Sequence, residues 1–183
     1  IKPEENLKET YEKVIGIYNL ERDDPEMWKM VWKQQITSLF QMEQQSGIDA
    51  IAKTHPKSID DLAVLNSVIR LMAQEKGGEM PIDKYARFKK DPRLWDKEME
   101  QYGLTASERE LLHRELDISY GLSIAQEQFM MLVQIPEIGG LDLQWADRLR
   151  KSIAKKNPKE YEQLTKEFYE NMRQKHLSEN LCN

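Results

Sequence analysis

The sequence predicts an all-α protein, folded as one domain of about eight helices. Apolar residues recur at helical spacing through most of the 183 residues, whereas the alternation typical of strands is nearly absent. Residues that favour helix N-caps, and prolines in first turns, stand between these segments. The best short strand candidate is 36–40. No internal repeat divides the chain.

The first four predicted helices lie in the N-terminal part of the chain, and each has an apolar stripe. Asp24 is predicted to cap the second helix, with Pro25 in its first turn and two tryptophans, Trp28 and Trp32, buried on one face. Ser58 is predicted to open the fourth through a capping box. The predicted ranges are 3–18, 25–32, 41–53 and 58 to the glycine pair at 77–78.

The remaining predicted helices also begin at proline or at capping residues. Two short segments open at proline, and Thr105 with Glu108 forms a capping box. Asp142 and Asn157 are the predicted N-caps of the last two helices. The predicted ranges are 82–89, 92–100, 105–116, 123–134, 142–156 and 157–175.

Composition excludes several classes of protein. Hydrophobic residues make up 39% and charged residues 32%, and the net charge is −5, so any nucleic-acid binding needs a local basic patch. The three histidines are scattered without metal-ligand spacing, and the single cysteine excludes an internal disulfide. No apolar run is long enough for a membrane span. We expect a cytoplasmic monomer that binds no membrane and, since it begins with Ile1, a fragment or a processed product.

Residues 148–156 contain two arginines and three lysines without an acidic residue. Their row of cations suits an extended anion such as a triphosphate or a nucleic-acid backbone. It also suits a solvated face at the end of a helix, where cations interact favourably with the helix dipole. The predicted buried stripe comprises Leu141, Trp145, Leu149 and Ile153; Arg148, Lys151 and Lys155 lie beside it, Arg150 points elsewhere, and Lys156 lies near its edge.

Gln126, Glu127 and Gln128 interrupt an otherwise apolar helix. Three successive helical residues are about 100° apart, so they cannot all face solvent. Two interpretations remain open. The amides bond neighbouring backbone inside the protein, or they form a surface that contacts a polymer.

Three stretches, in order, resemble the fingers region of bacterial replicative DNA polymerase III alpha subunits, the C-family polymerases. They are ERDDPEMWKMVWKQQITSLFQMEQQSGIDAI, ISYGLSIAQEQFMMLVQ and LDLQWADRLRKSIAKKNPKEY. The motifs that match are Asp24-Pro25, Phe40-Gln41-Met42-Glu43, Tyr120-Gly121, Gln126-Glu127-Gln128, Ala146-Asp147, Leu149-Arg150 and Lys155-Lys156. This chain departs from the family after Arg70 and before Gly47, which suggests a divergent branch carried by a phage or plasmid.

The resemblance implies a wall of a polymerase active site, opposite a palm region that is absent here. In that case Arg150 contacts the triphosphate of the incoming nucleotide, supported by Lys151, Lys155 and Lys156. The wall that faces DNA or the active site would comprise Gln126, Glu127 and Gln128, with Glu127 holding Arg150 in place. We also expect Arg148 in this wall, although it has no counterpart in the family. The resemblance assigns Mg²⁺ and the catalytic aspartates to the palm, so this piece alone would be inactive.

The resemblance also implies primer-template DNA and deoxynucleotides as ligands of the larger enzyme, with a sliding clamp and other replisome subunits as partners. The alternative is a stand-alone helical module whose basic helix docks an acidic partner or nucleic acid. The order of the three motifs favours the polymerase, because an interaction module requires no such order.

Overall fold

The computed structural model describes residues 6–16, 24–37, 39–70 and 78–182, and within these ranges it contains eleven α-helices, one short 3₁₀ turn and no β-strand. The predicted all-α class is therefore confirmed. Several helices are shorter than predicted within the described ranges, and one short C-terminal helix was not predicted. The helices are α1 (Leu7–Ile15), α2 (Pro25–Trp32), α3 (Gln45–Thr54), α4 (Ile59–Val68), α5 (Pro81–Lys90), α6 (Arg93–Gln101), α7 (Ala106–Leu116), α8 (Gln126–Gln134), α9 (Leu143–Ala154), α10 (Pro158–Gln174) and α11 (Glu179–Cys182).

Short-range hydrogen bonds confirm the predicted N-caps. The carboxylate of Asp24 accepts from the backbone N–H groups of Glu26 and Met27, both at 3.1 Å. Thr105 and Glu108 form a reciprocal capping box at the start of α7. Caps at the remaining predicted positions are formed by Ser58, Asp142 and Asn157.

Several boundaries differ from the sequence prediction. Helix α3 begins at Gln45 rather than at residue 41, because Gln41 has a φ of 62°, which a right-handed helix does not allow. Helix α4 ends at Val68, and its predicted extension over 71–77 lies outside the described residues. The described residues of 36–40 form turns rather than the short strand considered above.

Contacts divide the chain into two compact units, Ile1–Ala86 and Arg87–Asn183. A single domain over all 183 residues remains a prediction. In the first unit α3 contacts both α2 and α4, and Trp28, Ile51 and Leu65 of these three helices are buried. Trp32 is only half-buried, and its Nε1 donates to the carbonyl oxygen of Pro56 at 2.7 Å. Of the two indoles predicted to be buried in α2, only one is therefore fully covered.

The second unit packs α8, α9 and α10 around one hydrophobic cluster. The buried members are Val133, Trp145, Ala146, Leu149 and Leu164. A neighbouring cluster contains Ile135, Ile138 and Met172. This packing fixes α8 and α9, which carry the residues singled out in the sequence, on a common core.

Glu108 ties α7 to the C-terminal segment of the second unit. It is 4% exposed, and its Oε1 accepts from the backbone N–H of Ser178 at 2.7 Å. Its Oε2 accepts from the backbone N–H of Thr105 at 2.8 Å. Burial by itself would raise the pKa of Glu108, but hydrogen bonds from Ser178 and Thr105 lower the pKa below its ordinary value. The ionised carboxylate is thus the stable form in the fold.

The described ranges contain neither a membrane-spanning helix nor a cluster of metal ligands. No helix there is long and apolar enough to cross a membrane. No group of three or more His, Cys, Asp or Glu side chains there is arranged to hold a metal ion.

Candidate functional site

The different environments of residues 126–128 explain why a polar triplet opens the apolar helix α8. Gln126 and Glu127 are exposed, whereas Gln128 is 7% exposed. The three side chains therefore have different environments, as their 100° spacing requires.

Gln128 closes the start of its own helix. Its Oε1 accepts from the backbone N–H groups of Ile124 at 2.9 Å and Ala125 at 3.2 Å. Its Nε2 donates to Ser119 Oγ at 2.8 Å, and that hydroxyl donates to the carbonyl oxygen of Leu116. An alanine at the N-cap position cannot accept a hydrogen bond through its side chain, so Gln128 satisfies these backbone donors instead. The amide thus joins α8 to the end of α7.

The Tyr120-Gly121 pair precedes α8 in left-handed backbone conformations. Tyr120 has a φ of 48° and Gly121 a φ of 82°. A Cβ added at Gly121 would overlap Nε1 and Cε2 of Trp95 and lie 2.7 Å from its Cδ1. Glycine is therefore required here both by the backbone conformation and by the indole packed against it.

Helix α9 is anchored by its apolar side and by one polar bond. Asp142 caps it by accepting from the backbone N–H of Trp145 at 2.7 Å. The Trp145 Nε1 donates to Glu167 Oε2 of α10 at 2.8 Å, and this bond lowers the pKa of Glu167. The predicted stripe is wrong at its last member, because Ile153 is 53% exposed. Ile153 lies one turn beyond Leu149, the last residue of α9 in the packed cluster.

The three basic residues nearest the start of α9 are paired with carboxylates. Asp147 accepts from Arg150 Nη2 and from Lys151 Nζ, both at 2.6 Å. Hydrogen bonds from Lys151 and Arg150 hold the pKa of Asp147 below its ordinary value. Arg148 Nε lies 3.6 Å from Glu160 Oε1 of α10. Asp147 stands three and four residues before Arg150 and Lys151, a spacing at which side chains on a helix can form ion pairs. These two ion pairs could therefore have been predicted from the sequence.

Arg150 therefore has a different carboxylate partner from the one expected. The expected Glu127–Arg150 pair is not formed; both Nε and Nη2 of Arg150 donate to Asp147, at 3.1 and 2.6 Å. The side chain of Glu127 is exposed and makes no hydrogen bond or ion pair within the described residues. Helices α8 and α9 nevertheless pack on the same hydrophobic cluster.

The three lysines at the junction of α9 and α10 are exposed. They are Lys155, Lys156 and Lys159, and none has an ion-pair partner in the described part of the chain. A groove of about 410 Å³ opens beside them. Its lining comprises Ser152, Ile153, Lys156, Asn157, Pro158 and Tyr161. Sequence reasoning missed Lys159 and Tyr161, because both were assigned to the next helix and not to the basic segment.

Comparison with known proteins matches residues 2–176 to the family model described as the bacterial DNA polymerase III alpha subunit finger domain. A probable DNA polymerase YorL of Bacillus subtilis is 35% identical over 178 residues, which cover 97% of this chain and 14% of the relative. A DNA-directed DNA polymerase of Bacillus phage SPbeta gives the same values. The DNA polymerase III subunit alpha of Haemophilus influenzae is 27% identical over 146 residues, covering 80% of this chain and 12% of the relative. The chain thus spans about a seventh of the length of these relatives or less.

Proposed function

Because this chain belongs to the finger-domain family of bacterial DNA polymerase III alpha subunits, we propose that it forms one wall of the nucleotide site of a replicative DNA-directed DNA polymerase. The enzyme would be a nucleotidyltransferase much longer than this chain, with its palm region elsewhere in the same protein. Its ligands would be primer-template DNA and deoxynucleoside triphosphates. A sliding clamp and other replisome subunits would be its partners, in the cytoplasm.

The observation that carries the proposal is the basic surface of α9, a helix whose apolar side packs on the buried cluster. Arg150 donates Nε and Nη2 to Asp147, which leaves its Nη1 group available to a phosphate. Asp147 limits the rotamers of Arg150, so less side-chain entropy is lost when an anion binds. We assign Arg150 the first contact with the triphosphate, supported by Lys151, Lys155 and Lys156.

These cations would act by positioning and by electrostatics. A triphosphate carries several negative charges, and fixed cations reduce the free-energy cost of holding it beside the primer end. The described residues do not fit Mg²⁺, because no three of their His, Cys, Asp or Glu side chains are grouped so that they could hold a metal ion. The proposal therefore assigns Mg²⁺ to the palm and gives this chain no metal ligand.

The polar residues of α8 would have separate roles in this wall. Gln126 and Glu127 are exposed in the first turn and available to template or nucleotide. Gln128 is buried, so its effect would be indirect, through the position of α8. Arg148, which pairs with Glu160, would stabilise the approach of α9 to α10 and add positive charge to the same wall.

The test is charge reversal at Arg150 in the full-length protein that carries this chain. Arg150→Glu should raise the KM for all four deoxynucleotides by about tenfold or more, because a triphosphate contact does not distinguish bases and a charged hydrogen bond contributes about 1.5–3 kcal/mol. Arg173→Glu is the matched control, since Arg173 is exposed on α10 and lies outside the proposed wall.

Steady-state primer extension with each nucleotide in turn provides the measurement. A KM change confined to one base, or an Arg150→Glu variant that behaves like Arg173→Glu, would contradict the triphosphate contact. Absence of template-directed synthesis by the unmodified full-length protein would contradict the polymerase assignment itself.

A further inference from the structure

The junction between α9 and α10 carries positive charge that the described protein does not neutralise. Lys155, Lys156 and Lys159 lie within five residues of one another and have no carboxylate partner in the described ranges. Lys159 is in the first turn of α10, where a cation opposes the helix dipole. An anion bound at this junction would offset the unfavourable position of Lys159 at the start of α10.

The groove beside these lysines has an apolar wall. Ile153 is 53% exposed and Tyr161 is 48% exposed, and Pro158 lies between them in the lining. Its volume of about 410 Å³ is within the range of small-molecule sites. A flat ring with a phosphate on each side fits this combination of an exposed aromatic face and flanking lysines.

The backbone at Lys156 favours a different residue. Lys156 has a φ of 49° and ends α9 in a Schellman motif, with Asn157 N–H donating to Ser152 O at 2.9 Å and Lys156 N–H to Ile153 O at 3.1 Å. Glycine is the usual residue at this left-handed position, because it has no Cβ to strain. A lysine here places its charge at the edge of the groove despite that strain.

We propose that this groove binds single-stranded DNA, with one base stacked on Tyr161 against Ile153 and Pro158. The phosphates on either side of that base contact Lys155, Lys156 and Lys159. Charge and shape favour this ligand. Three neighbouring cations suit a polyanion, and the exposed aromatic side chain suits a polyanion whose units carry flat rings. This inference rests on the proposed function only for Lys155 and Lys156, which both proposals place near phosphate. Tyr161 and Lys159 have a role only in the DNA-binding groove.

The first experiment measures binding of the full 183-residue chain to a fluorescent oligothymidine of about 12 nucleotides at low salt. Tyr161→Ala should weaken binding by about fivefold or more, and Tyr161→Phe should retain it, because both Tyr and Phe offer a stacking face. Tyr102→Ala is the matched control, since Tyr102 is 62% exposed and lies outside the groove. An oligonucleotide carrying 5-iodouracil should photocrosslink to Tyr161.

The second experiment separates charge from folding. Lys156→Gly should reduce the slope of log K against log salt by about 0.7, the value expected for one phosphate contact on a single strand, without lowering the thermal midpoint. Lys159→Ala should reduce the slope similarly, whereas Tyr161→Ala should leave it unchanged. Lys97→Ala, at an exposed helical lysine remote in sequence from the junction, should change neither quantity.

Several results would overturn the proposal. Unchanged binding in Tyr161→Ala, or an equal loss in Tyr102→Ala, would remove the stacking site. Oligoglutamate of equal length that binds as tightly as DNA would indicate an acidic protein partner instead. Thymidine triphosphate that competes as well as the oligonucleotide would assign the groove to free nucleotide. If Arg150→Glu leaves the KM unchanged while Tyr161→Ala still weakens DNA binding, the DNA-binding groove is supported and the triphosphate contact of Arg150 is refuted.

Discussion

Gly121→Ala is the substitution whose effect follows most directly from the structure. Gly121 has a φ of 82°, and an added Cβ would lie 2.7 Å from Cδ1 of Trp95 and closer still to two other atoms of the indole. Trp95 is 5% exposed and packs on His113, with ring centroids 4.2 Å apart. The indole therefore has little room to move away.

The expected cost combines two effects. A left-handed conformation costs a residue with a Cβ about 1–2 kcal/mol, and overpacking of a buried site costs about 1–3 kcal/mol. The loss of unfolded-state freedom on replacing glycine offsets about 0.4–1 kcal/mol. The free energy of unfolding of the second unit should therefore fall by about 2–4 kcal/mol.

Gly103→Ala separates the two effects. Gly103 has a similar φ of 76°, but its added Cβ would meet only Asn180 Nδ2, the end of an exposed side chain, at 2.6 Å. This control should lose only about 1 kcal/mol. Urea denaturation followed by circular dichroism and tryptophan fluorescence measures both variants.

Trp95→Phe tests whether the indole is the cause. In the Gly121→Ala background the smaller ring should recover part of the lost stability, with a coupling free energy of about 1 kcal/mol or more. If Gly121→Ala and Gly103→Ala lose the same free energy within about 0.5 kcal/mol, or if the cycle shows no coupling, the argument from contact with Trp95 is refuted.

Two further predictions concern buried polar groups. Gln128→Leu leaves two backbone N–H groups without their acceptor and removes the bond that Ser119 Oγ accepts, so urea denaturation should show a loss of about 2–4 kcal/mol. The exposed Gln126→Leu should change stability by less than about 0.5 kcal/mol, and equal effects would contradict the capping role. The folded-state pKa of Glu108 lies below its ordinary value of 4.5, so its contribution is present at neutral pH and is lost as pH falls through the folded pKa. Glu108→Gln should thus be less stable than the unsubstituted chain at neutral pH, with a difference that shrinks as the pH falls below 4.5 and through the folded-state pKa. The exposed Glu162→Gln should differ little, and a pH-independent difference for Glu108→Gln would exclude linkage.

Helix existence was predictable because its signals are local. The caps at Asp24 and Thr105 depend on bonds to residues two or three positions away, which the sequence displays directly. The start of α3 was misplaced because the left-handed conformation of Gln41 has no local signature comparable to glycine. Similarly, the bond from Ser178 to Glu108 joins residues 70 positions apart, and nothing near either residue announces it.

The candidate site was predictable to a lesser degree. The basic segment and the polar triplet were identified from sequence, and the order of three motifs indicated the family that the comparison then matched. The partner of Arg150 was not identified, although Asp147 lies at helical spacing from it. The exposure of Ile153 could not be predicted, because a periodic stripe does not show where the contact with a neighbouring helix ends.

The sequence by itself determined the helices, the positions of their caps, the local excess of cations and the resemblance to polymerase fingers, since each depends on residue type and short-range spacing. Only the tertiary structure decided which polar residue of the triplet is buried and which cations remain unpaired. Gln128 is buried because α8 packs at the end of α7, and Arg148 is paired because α10 brings Glu160 to it. Burial and neutralisation depend on neighbours distant in the chain, and packing alone brings those neighbours together.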